Sequence, residues 1–231
     1  MPTEHVYLSA RSYSNMKLNL IFFCITTSLL ITGCGQPHSA STDKTNTRVI
    51  DTAKSIKIGS YWATPTKLIN YHSATVSGDT LNLVTCNNYV YSPFGKTENK
   101  ADLKNALLKK FIVSDKLIKD SSGLFNLNIL KYKSSKLAFF LNDDDPEVHS
   151  VIAKGEIFDT DIELLNGVKV GISEDEFHKK FFDYFPTQLK GKYNVVSLHA
   201  CIDGIVHIYS FKNGNLNSIK FTNPYLFKVE Y

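Results

Sequence analysis

The strongest constraint on this 231-residue chain is a pattern that occurs twice in it: a helix-start signal with an apolar stripe, then an alternating hairpin. In the second occurrence Ser173-Glu174-Asp175-Glu176 forms a capping box, in which the serine hydroxyl accepts a first-turn N–H and the glutamate reaches back to the cap. Phe177, Phe181, Phe182 and Phe185 follow at i, i+4, i+5 and i+8, one apolar stripe of a helix, and Pro186 closes it. The first occurrence lies 74 residues earlier, with Asn99 and Asp102 as cap and partner and Leu103, Leu107, Leu108 and Phe111 matching the four phenylalanines. A hairpin follows each stripe. Val206 to Lys212 alternates, Asn213-Gly214 supplies the positive φ that a tight two-residue turn needs, and Asn215 to Phe221 returns. In the first copy Ile129 to Lys133 leads through Ser134-Ser135 to Lys136–Leu141, at an offset of 79.

Strands are expected before each helix: Leu81 to Cys86 and Tyr89 to Tyr91 in the first copy, Val151 to Ile157 and Ile162 to Val170 in the second. The reading is an α+β chain of two tandem units, 56–146 and 147–231, each a helix packed on an antiparallel sheet, with the acidic run 143–147 as an exposed turn between them.

The run Val168-Lys169-Val170-Gly171-Ile172-Ser173-Glu174-Asp175-Glu176-Phe177 resembles the opening of BamE-like (SmpA/OmlA) and β-lactamase-inhibitor-protein-like modules. Tyr209-Ser210-Phe211-Lys212-Asn213-Gly214-Asn215-Leu216 resembles their closing hairpin. The resemblance covers the second unit and implies a capped helix on an antiparallel sheet, in families where many members are small bacterial lipoproteins or secreted proteins that bind other proteins. In the first unit Gly95 and Thr97 do not keep the motif's spacing to Leu103.

The N-terminus carries an address. Lys17 precedes an apolar run of about sixteen residues, short of the roughly 20 that a membrane-spanning helix needs and suited to a signal peptide. Its end, Leu30-Ile31-Thr32-Gly33-Cys34, resembles the bacterial lipobox, which implies cleavage between Gly33 and Cys34 and acylation of Cys34. A plain secretory signal and an uncleaved anchor helix are the alternatives; no small-x-small site closes the run, and the run is short for an anchor. Residues 1–33 then form a lipoprotein signal peptide, with translation expected to start at Met16, and residues 34–55 the lipidated cysteine and a polar tether. Gly35 rather than aspartate follows the cysteine, and no acidic cluster comes after it; both point to the outer membrane, facing the periplasm. Several acyl chains on Cys34 would hold the protein stably to the membrane.

Little in the rest announces chemistry. Cys86 and Cys201 are left in an oxidising compartment, either bridged or as two separately buried thiols. His199-Ala200-Cys201 with His207 is the tightest His/Cys group, and a structural reading suits it better than a metal, because zinc-type spacings are absent. The acidic run 143–147 lacks the calcium-loop spacing. His178 is expected on the solvated face of its helix, and the lysines at 100, 104, 109, 110, 179 and 180 on solvated faces. Tyr61, Trp62, Tyr71, Tyr89, Tyr91 and Phe94 form an aromatic-rich stretch suited to a core or a binding patch. A net charge of +4 with Arg11 and Arg48 as the only arginines argues against nucleic acid, and no motif implies a cofactor or a catalytic residue. The expected function is a non-enzymatic, lipid-anchored, protein-binding module of the bacterial envelope with an envelope protein as partner. The alternatives are an envelope enzyme or small-ligand binder with a site between the two units, and an outer-membrane spacer.

Overall fold

The computed structural model describes residues 51–120, 123–141 and 150–223. The expected signal peptide, Gly33, Cys34, most of the tether and the acidic run 143–147 lie outside the described residues. In chain order the elements are β1 (Ile56–Ile58), β2 (Tyr61–Pro65), β3 (Tyr71–Ser77), β4 (Thr80–Thr85), α1 (Asn88–Tyr91), β5 (Ile112–Asp120), β6 (Gly123–Tyr132), β7 (Ser135–Phe140), β8 (Val151–Ile157), α2 (Glu174–Phe181), β9 (Phe182–Tyr184), β10 (Val195–Ala200), β11 (Val206–Lys212) and β12 (Asn215–Thr222).

Alternation builds one large sheet. Its order is β3-β4-β10-β11-β12-β8-β7-β6-β5, and every neighbouring pair is antiparallel except β4 with β10. Because successive side chains point to opposite faces, Leu81 and Leu83 of β4, Val196 and Leu198 of β10, and Tyr209 and Phe211 of β11 share one buried face with Ile219 and Phe221 of β12. A three-stranded sheet, β1-β2-β9, and the two helices contribute to that core. Phe177 of α2 packs 4.9 Å from the Tyr209 ring and 5.0 Å from Phe211, and Phe181 packs 5.8 Å from Tyr209. Each such buried ring contributes roughly 2–3 kcal/mol of apolar transfer.

The second-unit helix starts as its residues dictate: Ser173 Oγ accepts from Glu176 N, and the Glu176 carboxylate accepts from Ser173 N. It ends at Phe181, four residues short of Pro186, because Phe182 and Tyr184 pair with Pro65 and Thr64 as strand β9. The Asn213-Gly214 hairpin forms with both turn residues at positive φ. The first-copy turn is centred on Lys133 and Ser134, one position earlier than expected, so that Ser135 enters β7.

The expectation of two helix-on-sheet units is wrong. Among the described residues the chain is mostly β, 48% strand against 13% helix, with two sheets and two helices. The large sheet runs through both expected units, with β4 beside β10 and β7 beside β8, inside one compact unit. No helix spans 99–111; a single 3-10 turn occupies Asp102–Lys104. Asn99 and Asp102 do cap reciprocally, but Asn105 then caps again, its Oδ1 accepting from Leu107 N and Leu108 N while its Nδ2 donates to Phe94 O. A side chain that offers the backbone these alternatives stops a helix from propagating. Leu103, Leu108 and Phe111 reach the core from turns instead. Tyr89 to Tyr91 lie in α1 rather than a strand, because Asn87 Oδ1 accepts from Tyr89 N as an N-cap. Ile162 to Val170 is a loop with a single bridge, Glu163 to Lys169, closed by Gly167 at φ 78°.

Candidate binding cleft

The parallel pair β4 and β10 brings two chain segments out at the same end of the sheet. There Cys201 N donates to Thr85 O at 3.0 Å, and Cys86 and Cys201 are joined by a disulfide with Cα atoms 5.1 Å apart. Both cysteines are exposed, which sets aside the alternative of two separately buried thiols. Thr85 Oγ1 donates to Asn70 O at 2.7 Å and accepts from Asn87 N at 3.1 Å, and Asn87 Nδ2 donates to Leu68 O. These bonds fix the start of α1 against the loop before β3. From β10 the chain reverses through Asp203 and Gly204, both at positive φ, and Ala200 N donates to Ile205 O at 2.8 Å. A third loop enters where Leu165 N donates to Pro93 O at 2.7 Å.

Between these loops lies a cleft of about 1190 Å³. Leu68, Leu165 and Ile202 stand at its mouth, 78%, 59% and 63% exposed, and they are three of the large apolar side chains that the described surface leaves in water. Polar groups line it between them: Asn87, Asn88, Asn166, Asp203, and the Lys96–Glu98 ion pair at 2.6 Å. Tyr89 forms part of the wall and leads inward. Its hydroxyl lies 3.1 Å from the Tyr209 hydroxyl, which lies 3.2 Å from His207 Nδ1; His207 Nε2 lies 2.9 Å from Val90 O. A carbonyl only accepts, so Nε2 carries the proton, Nδ1 accepts from Tyr209, and Tyr89 donates to Tyr209. Burial lowers the His207 pKa to about 3, and the Val90 carbonyl only partly offsets it. Burial likewise raises Tyr71, Tyr89 and Tyr209 above the usual phenol range. The network is a fixed, neutral support for the wall of the cleft.

The described histidines do not line the cleft. His199 faces the opposite side of the sheet from His207 and lies 3.3 Å from Asn82 Oδ1, so the His199/Cys201/His207 group is split. No group of three or more metal-ligating side chains converges among the described residues. His178 is buried, contrary to expectation: its ring stacks on Phe185 at 3.7 Å and its Nε2 lies 3.3 Å from Glu174 Oε1. Lys100 pairs with Asp115 at 2.6 Å and Lys110 with Asp161 at 3.5 Å, while Lys179 and Lys180 are exposed. Of the aromatic stretch, Tyr89 and Phe94 are core and Tyr91 sits on the cleft, its hydroxyl 3.7 Å from Cys201 Sγ.

Sequence reading missed Leu68, Leu165, Ile202 and Asn166. Two of the apolar residues carried a signal: Leu165-Asn166-Gly167 and Ile202-Asp203-Gly204 share an apolar residue placed directly before an Asx-Gly turn. Such a turn projects its preceding side chain outward, where a hydrophobe has no structural reason to be. Comparison of the chain with protein families, with curated proteins and with solved structures finds no match, so the BamE-like resemblance rests on the cap and hairpin residues alone.

Proposed function

We propose that this chain is a lipid-anchored protein of the bacterial envelope that binds a polypeptide segment of a partner protein in this cleft. The observation that carries the reading is the placement of Leu68, Leu165 and Ile202. A small-molecule pocket keeps its apolar groups inside and buries most of its ligand. Here they stand at the mouth with amides between them, the arrangement of a protein interface with apolar anchors in a polar surround. Carboxamides such as Asn88 and Asn166 both donate and accept, which suits the peptide groups of a guest chain. The lining favours binding over catalysis: hydroxyls from Ser92, Thr97 and Ser150 lie there without a histidine beside them, and Glu98 is held by Lys96. The lipobox at Gly33-Cys34 and the polar residues after it support anchoring at the outer membrane facing the periplasm. The cleft volume also suits a small ligand, and the same variants separate the two readings.

The test is photo-crosslinking in intact cells from position 88 or 203 on the cleft lining, with Leu68→Asp/Leu165→Asp/Ile202→Asp as control. A discrete protein adduct that the triple variant loses while keeping its circular dichroism spectrum is expected. Adducts unchanged by the triple variant refute the cleft as the interface, and adducts to small molecules alone favour the ligand reading. Intact-mass analysis of the membrane fraction tests the anchor separately, by the mass of a chain cut before Cys34 and diacylated.

A further inference from the structure

We propose that the Cys86–Cys201 bridge is a thiol–disulfide exchange site, in which an incoming thiolate attacks Cys86 Sγ and Cys201 Sγ leaves with the Tyr91 hydroxyl bonded to it. Its substrate, a cysteine of the guest polypeptide, rests on the function proposed for the cleft. Both cysteines are exposed and both line the cleft, so an incoming sulfur has access to the bond. Access is one of the factors that set the rate of exchange, and exposed bridges are among the labile and catalytic ones. The apolar anchors bracket this bond. Ile202 directly follows Cys201, and Asn87, which directly follows Cys86, donates through Nδ2 to Leu68 O. A chain seated on Leu68 and Ile202 therefore passes beside the two sulfurs.

The backbone holds the two residues together independently of the sulfur–sulfur bond. Cys201 N donates to Thr85 O at 3.0 Å, beside the ladder pair of Ala200 with Thr85. Asn87 N donates to Thr85 Oγ1 and Ala200 N to Ile205 O, so each chain is fixed on both sides of its cysteine. Breaking the bond leaves two sulfurs that stay close, and the step can run in either direction. The two ends differ. The Tyr91 hydroxyl lies 3.7 Å from Cys201 Sγ; a disulfide sulfur carries no proton, so the hydroxyl donates. Partial burial, with the charge of Asp203, raises the Tyr91 pKa, and its bond to the Ile202 backbone only partly offsets this, so the phenol stays protonated. The better stabilised thiolate leaves, which directs attack to Cys86.

In the step, a bond forms between the guest sulfur and Cys86 Sγ, the bridge breaks, and its electron pair goes to Cys201 Sγ. A second guest thiolate then attacks the guest sulfur of the mixed disulfide, and Cys86 leaves as thiolate. The guest has lost two electrons and two thiol protons in forming a disulfide, and the bridge has gained them as two thiols. A low-molecular-weight disulfide restores the bridge and is itself reduced to two thiols. Thiolate exchange needs no histidine base, in keeping with a lining that none of the described histidines joins.

The experiment follows the initial rate of bridge opening in the full chain in neutral detergent, by acid quench, alkylation and peptide mapping. The probes are mercaptoethanol and a short peptide with one cysteine among leucines and polar residues. At equal thiolate concentration the peptide is expected to open the bridge about tenfold faster, the gain from seating one apolar anchor. The adduct is expected on Cys86 and the free thiol on Cys201 with either probe. Tyr91→Phe should slow both probes about tenfold, the loss of one hydrogen bond to a thiolate, and leave the circular dichroism spectrum unchanged. Adducts on Cys201, or a Tyr91→Phe chain as fast as the parent, overturn the proposal. A bridge that opens no faster than the amides of β11 exchange also overturns it, because opening then requires unfolding. Equal rates with the two probes, unaffected by Leu68→Asp/Ile202→Asp but slowed by Tyr91→Phe, support the exchange site and refute the polypeptide as its substrate. An inert bridge beside a discrete crosslink from position 88 overturns the exchange site and leaves the polypeptide reading standing.

Discussion

Acidification should weaken this fold through His207 in a window that can be calculated. The imidazole is fully buried, its Nε2 donates to Val90 O and its Nδ1 accepts from Tyr209, so a second ring proton has no acceptor and no water. Its pKa is about 3 in the folded chain and about 6.5 when unfolded. Between those values the unfolded chain binds a proton that the folded one refuses, so stability falls as pH drops from about 6.5 towards 3. At pH 4.5 the deficit is about 3 kcal/mol relative to pH 7.5, from roughly two decades of preferential protonation. With a urea slope near 2 kcal/mol/M, the unfolding midpoint moves down by about 1.5 M. Other groups titrate over the same range, so the measurement is a difference. His207→Gln keeps an amide donor and does not titrate; it should cost about 1–3 kcal/mol at pH 7.5, because Val90 O and Tyr209 OH lose part of their pairing. Its further loss on going to pH 4.5 should be smaller than that of the unmutated chain by about 3 kcal/mol. Equal losses in the two proteins, or an NMR spectrum with His207 doubly protonated at pH 5, would refute the reasoning.

Three other perturbations have defined outcomes. Reducing the Cys86–Cys201 bridge opens a loop of 115 residues and should lower stability by about 5 kcal/mol on loop-closure grounds; a urea midpoint unchanged by reductant, with two thiols titrating afterwards, would contradict this. Ser173→Ala removes the hydroxyl that accepts Glu176 N and should cost about 1 kcal/mol by thermal unfolding, whereas Ser173→Asp should be nearly neutral. Gly155→Ala puts a methyl into Leu137 Cδ2, with Lys136 O and Phe221 Cδ2 at 3.3 Å behind it, so overpacking should cost about 1–3 kcal/mol; a variant as stable as the parent would show that the core at β8 can yield.

What was legible in the sequence were the features whose cause is local. The Ser173/Glu176 box, the Asn213-Gly214 turn and the strands from Leu81, Val151, Val206 and Asn215 carry their reasons within a few residues, and they form. What failed depended on competition or distance. The stripe Leu103/Leu107/Leu108/Phe111 has helical spacing, but Asn105 diverts the backbone in its middle. Phe182 and Phe185 continue a helical stripe, yet the partner strand at Thr64 and Pro65 takes Phe182 and Tyr184. β10 is bounded on one side by Thr80 to Thr85, more than a hundred residues earlier, and no local pattern announces such a neighbour. The cleft inherits that non-locality: its apolar anchors come from three loops, and only the Asx-Gly turns after Leu165 and Ile202 marked two of them.

The position of the cleft follows from topology. Along most of the large sheet, antiparallel neighbours can be closed by short turns such as Lys133-Ser134 and Asn213-Gly214, which cover the strand ends and leave no space between them. β4 and β10 are parallel, so both chains leave at the same end and must part, one into α1 and the other through Asp203 and Gly204 into β11. Parting strands leave a crevice, by the same logic that places ligands at the switch points of open sheets. Here the crevice sits above Tyr89, and the Cys86–Cys201 bridge lies where the two chains separate. The bridge therefore has a second role besides loop closure: it limits how far the Leu68 and Ile202 sides of the mouth can spread. A reduced chain that stays folded should then show faster amide exchange at 86–91 and 201–204 than at β11 and β12, because opening would begin at the one place in the sheet where neighbouring strands run the same way.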